Sequence, residues 1–139
     1  MNTYLRCLWI AGLLAVVGCE PNTGGFDYAP VSGTVTVNGR PLEGATVAFA
    51  PQGESLNTGR PSLAQTDADG HFQLQTVNGI DGAVIGRHLV AITTKRLDPE
   101  TQDVVARETI PVRYNAQSEL SFDVPKEGST SANFDLTLK

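Results

Sequence analysis

VSGTVTVNGRPLEGATVAFAP, residues 31–51, decides the fold. Val31, Gly33, Val35 and Val37 fall on one face, and Ser32, Thr34 and Thr36 on the other. A period of two with β-branched residues marks a half-buried strand. Asn38-Gly39 follows, the dipeptide best suited to a two-residue hairpin turn, whose central positions both take positive φ. A second strand, residues 45–50, alternates again with Ala45, Val47 and Phe49 inward, and Pro51-Gln52-Gly53 ends it.

The same grammar continues toward the C-terminus. Residues 52–60 read as a surface loop and 62–66 as a short strand. Asp67-Ala68-Asp69-Gly70 is a turn. Residues 71–76 form a strand with Phe72 and Leu74 inward and His71 on the solvent face. Residues 77–86, with Gly79, Gly82 and Gly86, read as irregular. Residues 88–94 form a strand with Val90 and Ile92 on one face. The polar stretch 95–107 contains Pro99 and reads as a long exposed connection, holding one helical turn at most. Leu120, Phe122 and Val124 alternate, as do Phe134, Leu136 and Leu138 in the last strand. No apolar period of 3.6 residues persists beyond two turns. Seven or so short strands in about 110 residues predict an all-β protein, a seven-stranded Greek-key β-sandwich.

Composition agrees with one such domain. The chain has 139 residues, 40% apolar and 18% charged, which is too apolar for a disordered chain. It is too short for a TIM barrel or a complete Rossmann enzyme. The formal charge is −5 with no Lys/Arg cluster, so no nucleic-acid partner is expected.

The N-terminal stretch MNTYLRCLWIAGLLAVVGC follows a different rule. Arg6 makes a short basic region, and residues 8–17 form an uncharged apolar run. That run is too short to span a bilayer, which needs about 20 residues, but it matches a signal-peptide core. Val16-Val17-Gly18-Cys19 resembles the lipobox of bacterial lipoproteins. The resemblance implies cleavage before Cys19, diacylation of its thiol, and acylation of the new amine by fatty acids such as palmitate. An ordinary signal peptide or an uncleaved anchor is the alternative. Two or three acyl chains would hold the protein on a membrane. Glu20 rather than Asp follows the cysteine, which under the best-known sorting rule favours the outer membrane over the inner. Residues 1–18 would then be signal peptide, 19–30 the lipidated cysteine and a Pro/Gly-containing tether, and 31–139 the sandwich domain. Cys7 leaves with the signal, so the mature chain keeps no free thiol and no disulfide. It keeps 9 basic and 15 acidic residues, a formal charge of −6, so the lipid and not electrostatics must anchor it.

With the strands placed, VSGTVTVNGRPLEGATVAFAP, TDADGHFQL, DGAVIGRHLVAIT and IPVRYNAQSELSFDV stand in an order similar to that of the carboxypeptidase regulatory-like domain. That domain is a transthyretin-like (prealbumin-like) seven-stranded sandwich. The chain more closely resembles short bacterial lipoproteins made of that domain alone. His88 departs from the pattern, which usually has Tyr there. The resemblance implies a fold and a place in the cell envelope, facing the periplasm. It implies no reaction and no cofactor.

Candidate chemistry is sparse. Asp67 and Asp69 open like an EF-hand calcium loop, but His71 and Asn78 stand where the third ligand and the closing Glu belong. A tight turn explains them better, and Asp81 is a further acidic residue that the fold would have to bring in. His71 and His88, the two histidines, are not at metal-ligand spacing, and His88 reads as a packed, hydrogen-bonded residue. Some iron dioxygenases on a similar sandwich use two Tyr and two His. Tyr28, Tyr114, His71 and His88 match them only in number. The Tyr-Arg-Gly-Ser tail of transthyretin-like hydrolases is missing from the Asp135–Lys139 ending, and no Gly-x-Ser-x-Gly elbow exists. Arg113-Tyr114 reads as a strand-end packing Tyr beside a surface Arg. The expectation is therefore a non-catalytic module that binds an envelope protein through a sheet edge or through loops 52–60, 77–86 and 95–107. A small-ligand or carbohydrate binder using the same loops is the alternative, with Tyr28 and Tyr114 as its few aromatics.

Overall fold

The computed structural model describes residues 23–55 and 57–139, and it is all-β, with no α-helix among the described residues. The strands are β1 (Tyr28–Ala29), β2 (Ser32–Val37), β3 (Arg40–Pro41), β4 (Thr46–Pro51), β5 (Ser62–Gln65), β6 (His71–Gln73) and β7 (Gln75–Thr76). They continue as β8 (Ala83–Val84), β9 (Gly86–Thr93), β10 (Arg96–Leu97), β11 (Val104–Ala106), β12 (Ser121–Val124) and β13 (Phe134–Leu136). The alternation in sequence becomes alternation in burial. Gly33 and Val35 are buried in β2, Val47 and Phe49 in β4, and His88, Val90 and Ile92 in β9. Asn38 and Gly39 both adopt positive φ, 49° and 77°, and turn β2 into β3.

Two main sheets form. One has the order β12-β9-β4-β5-β7, antiparallel throughout. The other centres on β2, with β13 parallel along one edge. The other edge of β2 carries β6 against Ser32–Thr34 and β3 against Thr36–Val37. Their inner faces share one core, in which Phe49 of the first sheet meets Phe134 of the second edge-on at 6.1 Å. Phe122 and Phe72 flank Phe134, each at 6.4 Å. Burying each ring contributes about 2–3 kcal/mol. The architecture is β-sandwich-like.

Strand registers define two ends. Ser32, Pro51, Ser62, Thr76 and Gly86 lie at one, with residues 52–55 and 57–60 and loops 77–82 and 125–130. Val37, Thr46, Gln65 and Thr93 lie at the other, with turn 66–70 and the β10–β11 hairpin.

Several expectations change. Residues 71–76 are not one strand: the chain breaks at Leu74, leaving β2 for the β5 edge of the other sheet. Phe72, Leu74 and Thr76 stay buried through this crossing, so the alternation never reveals it. The irregular stretch 77–86 contains β8, which pairs with β1. The long exposed connection 95–107 is not irregular throughout: it folds into a bulged hairpin, β10–β11. Asp98 closes its tip by accepting the Glu100 and Thr101 N–H groups at 2.8 and 2.9 Å. Leu138 is 44% exposed, because the last strand ends at Leu136. Arg113-Tyr114 lies in a 3-10 turn, Val112–Tyr114, and not at a strand end. The tether is shorter than expected, since Ala29 is in the core at 1% exposure and the folded domain starts at Tyr28 and not at Val31. Cys19 and the signal segment lie outside the described residues.

Candidate functional site

The Asp67 turn follows from local chemistry. Asp67 Oδ1 accepts the Asp69 and His71 N–H groups, both at 2.9 Å, in an Asx arrangement. The Gly70 N–H donates to the Asp67 carbonyl at 2.9 Å. Gly70 has φ 74°, and a Cβ there would lie 2.5 Å from the Val35 carbonyl oxygen, so no other residue fits. Asp67, Asp69 and His71 all point to solvent, with ligand atoms within 4.8 Å of one another. Two carboxylates and an imidazole form a partial donor set for a divalent cation. One Asp67 oxygen is already engaged by two backbone donors, so the turn accounts for that residue without an ion.

Beside this turn runs an open polar groove of about 750 Å³ between β6, the start of β2 and the segment before β13. Asp67 and His71 border it with Thr34, Gln73, Thr130 and Asn133. Asn133 Oδ1 accepts both the Thr34 N–H at 3.1 Å and the Thr34 hydroxyl at 2.9 Å. Hydroxyls and amides of this kind can hydrogen-bond a polar ligand.

The other singled-out residues are dispersed. Asp81 sits at the opposite end from Asp67, where its Oδ1 accepts the Gln75 side-chain amide at 3.1 Å, so it does not join the cluster. His71 is exposed on β6 and His88 is buried on β9 of the other sheet. Tyr28 belongs to β1, whereas Tyr114 reaches the C-terminal segment, so the two Tyr and two His do not gather. Tyr114 Oη accepts the Thr137 N–H at 3.1 Å, and Arg113 donates to the Thr137 and Lys139 carbonyls. The Thr137 backbone, followed by the Arg113 guanidinium 4.8 Å from the ring centroid, pulls the Tyr114 phenol below its ordinary pKa. The pair clamps the end of the chain.

His88 is fully buried. Its Nε2–H donates to the Val84 carbonyl at 2.7 Å, and Nδ1 is enclosed without a well-formed hydrogen bond. Burial outweighs its backbone contacts and lowers its pKa, so the ring is neutral at pH 7.

Sequence reasoning missed Glu108. Its carboxylate accepts the Thr94 N–H at 3.0 Å, the Thr94 hydroxyl at 2.9 Å, the Ile110 N–H at 2.9 Å and the Thr93 hydroxyl. Desolvation raises its pKa, but these donors together outweigh it and hold it at about 2. One Thr pair, Thr93-Thr94, and the Glu108-Thr109 dipeptide were the available signal. Their fourteen-residue separation hid it.

No protein family, curated protein or solved structure matched the chain in comparison.

Proposed function

We propose that this protein is a membrane-anchored lipoprotein of the bacterial cell envelope, lipidated on Cys19. Its domain would be a seven-stranded sandwich of the carboxypeptidase regulatory-like kind, acting as a non-catalytic binding or structural module. The observation that carries this reading is the short apolar run and Val-Val-Gly-Cys at residues 16–19, a few residues ahead of β1. The two main sheets support a sandwich of this kind; with β6 and β7 taken together, β2, β4, β5, β6/β7, β9, β12 and β13 would be its seven strands. The described ionisable residues with shifted pKa values, His88, Asp98, Glu108 and Tyr114, all have structural partners, which favours a module over an enzyme. The outer membrane is the preferred site, with the domain facing the periplasm.

In-cell crosslinking of a tagged copy, purified from membranes and read by mass spectrometry, tests this with Cys19→Ala as control. A dominant envelope-protein partner that vanishes in the control is the expected outcome. A membrane-bound protein with no enriched partner overturns the adaptor role.

The second reading, a small-ligand or carbohydrate binder, is favoured by one observation, the polar groove of about 750 Å³. Saturable binding on a glycan array that is lost in Asn133→Ala would select it. Calcium at millimolar concentration is expected to leave Tm unchanged, since Asp67 serves its own turn. A Tm rise that Asp67→Ala abolishes would make the turn a cation site.

A further inference from the structure

We propose that the end of the domain formed by residues 52–55 and 57–60 and by loops 77–82 and 125–130 rests against the lipid headgroups of the anchoring membrane. The β10–β11 hairpin and the Asp67 turn are then presented away from it. This rests on the lipidation of Cys19 proposed above.

The argument is one of chain length and of where the chain enters the fold. An undocked tether from Cys19 to Val31 would reach about 40 Å, enough for any face to turn toward the membrane. The docked segment removes most of that slack. Tyr28 and Ala29 pair with Val84 and Ala83, and the Ile85 N–H donates to the Asp27 carbonyl at 2.9 Å. Gly82 allows this, since a Cβ there would lie 2.0 Å from the Ala29 carbonyl oxygen. Phe26 packs beside Gly59, whose added Cβ would sit 3.4 Å from the ring. The Phe26 N–H turns back to the Thr23 carbonyl at 3.2 Å. Thr23 thereby lines a cleft of about 330 Å³ with Asn57, Arg60 and Asn78. Four residue steps separate Cys19 from Thr23, a reach of about 14 Å at most.

That reach is shorter than the molecule. The eight residues of β9 alone span about 26 Å from the Gly86 end to the Thr93 end, and the hairpin projects beyond. An inverted pose, with the hairpin tip on the headgroups and the near end outermost, is therefore out of reach while Cys19 is embedded. Charge does not decide the matter: Arg60 and Lys126 at the near end are offset by Glu54, Asp81 and Glu127. The exposed Leu97, Val104 and Val105 of the hairpin are thus held where a periplasmic partner meets them.

The test uses the full lipoprotein in phosphatidylethanolamine/phosphatidylglycerol vesicles that contain headgroup spin-labelled lipid. Single cysteines are introduced as Asn57→Cys and Asn78→Cys at the near end, and as Asp69→Cys and Glu100→Cys at the far end. Each carries a fluorophore, and quenching is read. Near-end labels are expected to be quenched several-fold more than far-end labels. Inserting about twelve Gly/Ser residues after Asn22 adds about 40 Å of contour and is expected to erase the difference. Equal quenching at both ends of the parent protein overturns the orientation while the anchor stands. The mass of the N-terminal peptide separates the two failures: an unmodified Cys19 on protein that does not bind vesicles overturns both.

Discussion

Glu108 ties Thr93 and Thr94, at the end of β9, to Ile110 across the base of the hairpin. Its depressed pKa sets the direction of a pH effect. The folded carboxyl releases its proton near pH 2, below its ordinary value of 4.5. Its stabilisation is therefore complete above pH 4.5 and is lost as the pH falls toward 2. Glu108→Gln is expected to cost about 1 kcal/mol at pH 7, since the bonds are charge-assisted but the site is partly open to solvent. It should also flatten the acid limb, as read from urea midpoints between pH 5 and 2. His88 works in a higher window with the same sign. Burial lowers its pKa below 6.5, so the unfolded chain binds more protons and stability falls as the pH drops below the ordinary histidine range. His88→Tyr is expected to keep the fold and remove the slope between pH 7 and 5.5, measured the same way. An unchanged slope would assign it to another group.

At the scale of elements, short strands act as joints. β1 and β8 are two residues each, yet together they fasten the N-terminal segment to the domain. The Val84 carbonyl accepts from His88, so the core histidine supports this joint from within. Gly82→Ala is expected to destabilise the domain by about 2–3 kcal/mol, through both its φ of 90° and the clash with Ala29. Hydrogen exchange should show the Ile85 amide losing protection first, because its acceptor, Asp27, lies on the displaced segment. The hairpin β10–β11 is a separate two-stranded sheet with exposed apolar residues, held at its base by Glu108 and at its tip by Asp98. Such a ribbon is marginal alone, so its base contacts matter.

Across the whole molecule, the closing contact joins chain ends. β13 lies parallel to β2, pairing Phe134 with Val35 and Leu136 with Val37. Asn133 and Asp135 add side-chain bonds to Thr34 and Thr36. Phe134 touches Phe49, Phe72 and Phe122, so one ring links both sheets. Phe134→Ala is expected to cost about 3–5 kcal/mol and to lower the midpoint of one cooperative transition. A separate early transition of the C-terminal strand would show instead that β13 docks independently.

The period of two from Val31 to Ala50, the Asn38-Gly39 turn and the Asp67–Gly70 turn were all legible in the sequence. Each depends on residues close enough in the chain to constrain one another's backbone or to share one face of a strand. The same holds for His71 outward and Phe72 inward. The crossing at Leu74 was hidden because burial alternates identically on either sheet. The β1–β8 joint was hidden because Tyr28-Ala29 and Ala83-Val84 are too short to show a period. Glu108 and His88 acquired their chemistry from partners that only the packed fold supplies. Local backbone preference and side-chain alternation set the strands; long-range pairing, whose register depends on what each strand meets across the core, set where they join and which polar groups are enclosed.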